Sequence, residues 1–145
     1  MAITIERAGL HDGPAILDLL RRNALPLDGL SDHLGTAVVA RDNGQVVGSA
    51  ALEVYTDGAL LRSVAVSSEH RDSGIGRRLT DAAIALAREL DLPGMYLLTT
   101  TAQDYFPRFG FEQIDRAAVP ASVQASVEFT SACPASAIVM RKPLV

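Results

Sequence analysis

Seven residues, Arg71-Asp72-Ser73-Gly74-Ile75-Gly76-Arg77, place two glycines and three charged side chains between an apolar run and a helical repeat. Glycines at such a junction let backbone N–H groups approach a ligand, and the helix N-terminus behind them carries about half a positive charge. The chemistry this favours is the binding of a phosphate or pyrophosphate. The N–H groups from Asp72 to Arg77 would form the cradle. Arg71 or Arg77 would add side-chain charge, and the Asp72 carboxylate should turn away from the anion. The dinucleotide fingerprint needs a third glycine where this chain has Leu79, and no P-loop lysine is present. Without its flanking elements the stretch would read as a glycine-rich turn with surface arginines.

A second constellation is Glu53 with Arg62. If Asp57-Gly58 form a two-residue hairpin turn, Thr56 opposes Ala59, Tyr55 opposes Leu60, Val54 opposes Leu61 and Glu53 opposes Arg62. Opposed residues share a face, so an acid and a base would meet on otherwise apolar strands. Two readings stay open: a structural ion pair, or a general base (Glu53) with Arg62 tuning it or gripping an anionic substrate. A carboxylate beside a cation stays ionised and is a weaker base for it. Thr99, Thr100 and Thr101 end a strand near the glycine loop, where Thr99 could meet an acceptor. His33 could line an acceptor pocket, whereas His70 and His11 read as solvent-facing turn and loop residues. No two histidines have metal-ligand spacing, and Cys133, the only cysteine, cannot build a thiolate site. Cys133 reads as a small buried hydrophobe. No metal is expected.

The elements that must position these groups follow from periodicity. Strands are expected over Ile3–Glu6, Thr36–Arg41, Gln45–Tyr55, Ala59–Val66, Met95–Thr100, Phe111–Asp115 and Ala135–Arg141. Helices are expected from Asp12-Gly13-Pro14 to Arg22, briefly over Ser31–Leu34, from Gly74 to Leu90, over Gln103–Phe109 closed by Gly110, and over Pro120–Glu128. Strands followed by β-α-β-α-β give an α/β fold with a mixed sheet flanked by helices. The 145 residues suit one domain spanning 1–145, and 48% apolar residues suffice for a core. A net charge of −4 argues against a nucleic-acid surface. No apolar run is long enough to span a bilayer, no signal-peptide pattern opens the chain, and a cytoplasmic location is the default.

The strand ending Val64-Ala65-Val66, then Glu69-His70-Arg71, Gly74-Ile75-Gly76, an amphipathic helix, another strand and Phe109-Gly110-Phe111 together resemble the GNAT superfamily of N-acyltransferases over nearly the whole chain. The resemblance implies acetyl-CoA as co-substrate, held at Arg71 to Arg77, and a small-molecule amine as acceptor. It gives the backbone of Val64 and Val66 a second role, because in GNAT folds this strand and the next splay apart and pantetheine pairs with the freed edge. One N–H there would stabilise the tetrahedral oxyanion. Many members place a tyrosine four residues before the glycine of the Gly-Phe pair, to protonate the leaving thiolate. That position is Phe106 here; Tyr105 precedes it and would point about 100° away on a helix, so Tyr105, water or no dedicated group would take the role.

Within the superfamily, Leu60 to Val66, Tyr96 to Thr101 and Cys133 to Ala137 resemble an arsenic-resistance N-acetyltransferase subgroup. That likeness implies an amino-acid toxin with an arsinic or phosphinic head as acceptor, its anion met by Arg62 with help from Arg108. A non-catalytic acyl-CoA sensor is the competing class, and homodimerisation is left open.

Overall fold

The structure is a computed structural model that describes residues 3–126, 128–132 and 136–144. Seven strands, β1 (Ile3–Arg7), β2 (Ala37–Asp42), β3 (Gln45–Tyr55), β4 (Gly58–Val66), β5 (Gly94–Thr99), β6 (Glu112–Ile114) and β7 (Ile138–Pro143), form one sheet in the order β1-β2-β3-β4-β5-β7-β6. All neighbours are antiparallel except β4 and β5, which run parallel. The mixed α/β architecture is the one its patterning predicts.

Helix α1 (Gly13–Arg22) starts with Pro14 in its first turn and buries Ile16, Leu19 and Leu20 on one face of the sheet against Val39, Ala51 and Ala65. Helix α2 (Ile75–Glu89) buries Ile75, Leu79, Ala83, Ile84, Leu86 and Ala87 on the other face, against Val38, Ala50, Leu52 and Leu61. Each fully buried Leu or Ile in these stripes contributes roughly 1.5–3 kcal/mol. Asp12, at the start of α1, accepts two hydrogen bonds from Arg41 of β2 at 3.0 and 2.7 Å. The Arg41 hydrogen bonds hold its carboxyl below the usual carboxylate range, against the opposing pull of burial.

Strand β4 changes face at Ser63. Ala59 and Leu61 face α2, yet Ala65 faces α1, while Val64 and Val66 pack on the α2 side. Two residues of β4, Ser63 and Val64, fall between the pairs Ser49↔Ala65 and Ala51↔Arg62, opposite the single residue Ala50. This β-bulge holds Ser63 at φ 59°, and the Ser49 hydroxyl donates to its carbonyl at 2.7 Å.

The β3–β4 hairpin departs from the expected register. Tyr55 pairs with Gly58, so Thr56 and Asp57 make the turn and Glu53 opposes Leu60, not Arg62. The need for glycine at position 58 comes from β5. Its φ is 151°, and a Cβ there would sit 2.9 Å from the Gly94 carbonyl oxygen and 3.0 Å from the Tyr96 ring. Gly58→Ala should therefore destabilise the protein by roughly 1–3 kcal/mol, the range for overpacking; a denaturation midpoint equal to wild type would refute this reading.

Other expected elements are shorter. The Ser31–Leu34 helix is a 3₁₀ segment over Leu30–Thr36. The segment before Gly110 is a turn followed by a 3₁₀ helix over Phe106–Phe109, where Pro107 removes a backbone donor; Gly110 closes it at φ 93°. Helix α3 covers only Ala121–Gln124, after which the Ser126 hydroxyl accepts the Phe129 N–H at 3.4 Å and a π-helical turn over Glu128–Ala132 follows. Cys133 and Ala135, where the last strand was expected to begin, lie outside the described residues.

Candidate active site

The parallel pair β4/β5 is in register only at Ala59↔Met95 and Leu60↔Tyr96. Beyond Leu60 the strands diverge, because the bulge at Ser63 bends β4 while β5 runs straight with β7. The wedge between them opens into a cleft of about 1050 Å³, walled by Leu61 to Val66 on one side and Leu97 to Ala102 on the other. Among the described residues the edge of β4 toward the wedge has no ladder partner past Leu60.

The glycine loop stands at the mouth of this cleft. Arg71, Asp72, Gly74, Ile75, Gly76 and Arg77 line it. Asp72 (φ 65°) and Gly74 (φ 83°) are both left-handed in the stretch that leads into α2, a backbone form in which N–H groups can gather around an anion. Ser73 does not line the cleft; its hydroxyl donates to the His70 carbonyl. Arg71 donates to the side-chain oxygen of Asn23, the residue that ends α1. Asn23, Ala24, Leu25 and Pro26 thereby form a wall that local sequence patterns do not announce. A Cβ on Gly76 would lie 3.4 Å from the Tyr105 hydroxyl and 3.6 Å from Val66.

Glu53 and Arg62 do meet, although they are not opposed. Arg62 opposes Ala51, two residues from Glu53 on the same face, and its Nη1 donates to Glu53 Oε2 at 2.8 Å. Arg62 is 3% exposed and its other donors are also engaged: Nη1 with the Asp28 carbonyl at 2.5 Å, Nη2 with the Pro26 carbonyl at 3.1 Å, and Nε with the Ser63 hydroxyl at 3.0 Å. Glu128 Oε2 lies 3.3 Å from the same Nε. The guanidinium is a tie between β3, β4, the wall after α1 and the π-helical turn. Glu53 is 1% exposed and does not line the cleft, whereas Arg62 and Glu128 do. The Tyr55 hydroxyl donates to Glu53. Burial first, then that hydrogen bond, pushes the Tyr55 phenol well above its ordinary range.

His33 is drawn into this cluster, 3.6 Å from Glu53, and is absent from the cleft lining. The sequence reading put Glu128 at the end of a helix and gave it no role; its place beside Arg62 depends on α3 stopping at Gln124 and a π-helical turn following. Tyr105 lines the cleft with its ring against Phe106 and Phe109 at centroid distances of 5.2 and 5.3 Å and with Arg108 over its face at 5.0 Å. Phe106 is 8% exposed, its ring packing on Phe111. Thr99 lines the cleft, but its hydroxyl accepts the Ala102 N–H at 2.9 Å, fixing the turn that ends β5. His70 is not solvent-facing: it is 2.9 Å from Asp42, with a side chain 14% exposed. Among the described residues no three His, Cys, Asp or Glu side chains could hold a metal, and no helix is long and apolar enough to cross a membrane.

The parallel strands splay into a cleft with the glycine loop at its mouth, and residues 33–113, more than half of the chain, match the family described as acetyltransferase (GNAT) domain. The chain belongs to that family. It is 32% identical over 129 residues to an amino-acid acetyltransferase of Mycobacterium tuberculosis, covering 82% of this chain and 74% of that protein. It is 33% identical over 98 residues to an uncharacterized N-acetyltransferase of Chlorobaculum tepidum, covering 67% of this chain and spanning 63% of that protein's length. Rv2747 from M. tuberculosis, solved in complex with CoA, superposes with a TM-score of 0.83 at 28% identity, covering 98% of this chain and 99% of that one. An N-acetylglutamate synthase of Neisseria gonorrhoeae, complexed with coenzyme A and N-acetyl-glutamate, shares the fold at a TM-score of 0.84 and 22% identity; this chain, covered fully, spans 36% of it.

Proposed function

We propose that this protein is an acetyl-CoA-dependent N-acetyltransferase whose acceptor is the amine of an amino acid or amino-acid analogue. The observation that carries the reading is the wedge with the left-handed glycine loop at its mouth, which suits a thin ligand with an anionic end. In this reading the pyrophosphate sits on the loop from Arg71 to Arg77, with Ser73 shaping the loop from behind. The pantetheine arm then pairs with the open edge at Val64 and Val66, as an added strand would. An N–H of that edge meets the thioester oxygen and the oxyanion that develops from it. The amine attacks the thioester carbon, the carbon–sulfur bond breaks, and Tyr105 protonates the departing thiolate.

The acceptor enters at the inner end, where Arg62, Thr99 and Glu128 line the wall. An alkylamine is mostly protonated at neutral pH and must lose a proton to react. Glu128 is the carboxylate that faces it. Glu53, behind Arg62, is a positioning residue in this reading. Similarity to an amino-acid acetyltransferase supports the acceptor class. The finer likeness to arsenic-resistance proteins makes an arsinic or phosphinic amino acid a special case of the same acceptor, and N-acetylation would remove the ammonium such a mimic needs.

Two measurements test this. Acetyl-CoA at a hundred times its Kd should stabilise the fold by about 2.7 kcal/mol, and Gly74→Val, which forces a β-branched residue to a positive φ, should abolish that shift while the protein stays folded. Mass spectrometry over amino acids, phosphinic and arsinic analogues, polyamines and aminoglycosides should find an acetylated amino acid. Thermal stabilisation without turnover of any amine would favour the non-catalytic sensor instead, and no stabilisation by acetyl-CoA would end the acyl-CoA reading.

A further inference from the structure

Residues 23–28, the first four of which wall the cleft, are strung between two guanidiniums. At one end the Asn23 side-chain oxygen accepts from Arg71 Nη2, across 48 positions of sequence. At the other end the Pro26 and Asp28 carbonyls accept from Arg62 at 3.1 and 2.5 Å. Arg71 belongs to the glycine loop at the mouth, and Arg62 to the inner end of the same cleft.

Asn23 caps α1, and its amide has a fixed orientation. Its Nδ2 donates to the Leu19 carbonyl at 2.8 Å, which leaves Oδ1 to face Arg71. The Ala24 N–H then donates to the Arg21 carbonyl at 3.2 Å and the Leu25 N–H to the Leu20 carbonyl at 3.0 Å. This is a Schellman closure with Ala24 in the left-handed place at φ 56°. A Cβ makes that place costly, and glycine is its usual occupant. On the other side, His70 is held 2.9 Å from Asp42 at the end of β2, so Arg71 leaves the backbone from a fixed start. Among the described residues only Nη2 of Arg71 has a partner. Its Nη1 and Nε stay available to an anion at the mouth, and a planar guanidinium can serve both sides at once.

We propose that Asn23 is a positioning residue that joins the glycine loop to the wall at residues 23–28, so that an anion in the loop firms that wall through Arg71. An anion on one edge of the guanidinium holds its plane still, and the opposite edge then holds Asn23. The cofactor end of the cleft and the wall that guides the acceptor are thereby coupled in binding, and the coupling is reciprocal. This rests on the acyl-CoA reading above.

Amide hydrogen exchange read by mass spectrometry, with and without saturating CoA, tests it. In the wild type CoA should slow exchange at residues 71–77 and also, by about fivefold, at residues 23–28, the worth of one exposed charged contact. Asn23→Ala should keep the slowing at 71–77 and lose it at 23–28. Asn23→Asp keeps the oxygen and lacks the donor to Leu19, so it should retain the slowing at 23–28. If Asn23→Asp instead behaves as Asn23→Ala does, Asn23 is only the cap of α1 and the proposal falls. Slowing at 71–77 with none at 23–28 in the wild type overturns it too, as does undiminished slowing at 23–28 in Asn23→Ala, which would mean that CoA touches the wall directly. Each of these leaves the acyl-CoA reading intact. A wild type in which CoA slows exchange nowhere would overturn both.

Discussion

Arg62→Met is expected to cost about 3–5 kcal/mol of stability, because it leaves the buried carboxylates of Glu53 and Glu128 without the guanidinium that faces them. For a chain of this size that is a fall in Tm of roughly 10 °C or more. Arg62→Lys should recover little of it. One ammonium cannot reproduce the planar fork that meets Glu53, the Pro26 and Asp28 carbonyls and the Ser63 hydroxyl together. Adding Glu53→Gln to Arg62→Met should restore part of the loss, since the variant then buries one charge fewer. Thermal melts of the three variants decide the matter. A stable Arg62→Met protein with a raised acceptor KM would instead make Arg62 a substrate-gripping residue, the role the sequence left open.

Tyr105→Phe is expected to lower kcat by about 10²-fold or more, the usual cost of losing an acid–base group, with acetyl-CoA affinity within a factor of about three. The hydroxyl is all that is removed, and the ring keeps its packing on Phe106 and Phe109. Single-turnover rates with the acceptor found by mass spectrometry provide the measurement. An unchanged kcat would assign thiolate protonation to water. A loss of cofactor affinity with kcat preserved would make the hydroxyl a binding group near Gly76.

The parts of this site that were legible in the sequence are those whose cause is local. The glycine loop and the helix behind it are fixed by residue types a few positions apart, and the stripe from Ile75 to Ala87 follows from helical period alone. The hairpin register was not legible, because Asp57-Gly58 has the composition of a turn while Gly58 is glycine for the sake of Gly94 and Tyr96, more than 30 positions away. The face reversal at Ser63 had no signal, since serine seldom adopts a positive φ and nothing nearby demands it. The Glu53–Arg62 contact was anticipated on a wrong register; it survives because Ala51 and Glu53 share a face, so Arg62 needs only to reach diagonally. Tyr105, a candidate proton donor, was expected to stand about 100° from Phe106 on a regular helix, but the chain there is a turn leading into a 3₁₀ segment, and that spacing does not apply.

The parting of β4 from β5 has a consequence for how this protein keeps to itself. An unpaired strand edge ordinarily recruits another chain, and proteins blunt such edges with charge, proline or a covering element. Here the open edge lies inside the sheet, four strands from one margin and three from the other. The facing wall of the wedge is β5, with the Tyr105 ring also lining it, so an incoming strand would have to match two neighbours at a spacing of about 4.8 Å each instead of extending a free margin. An edge enclosed in this way asks more of a partner strand than an edge at the border of a sheet does.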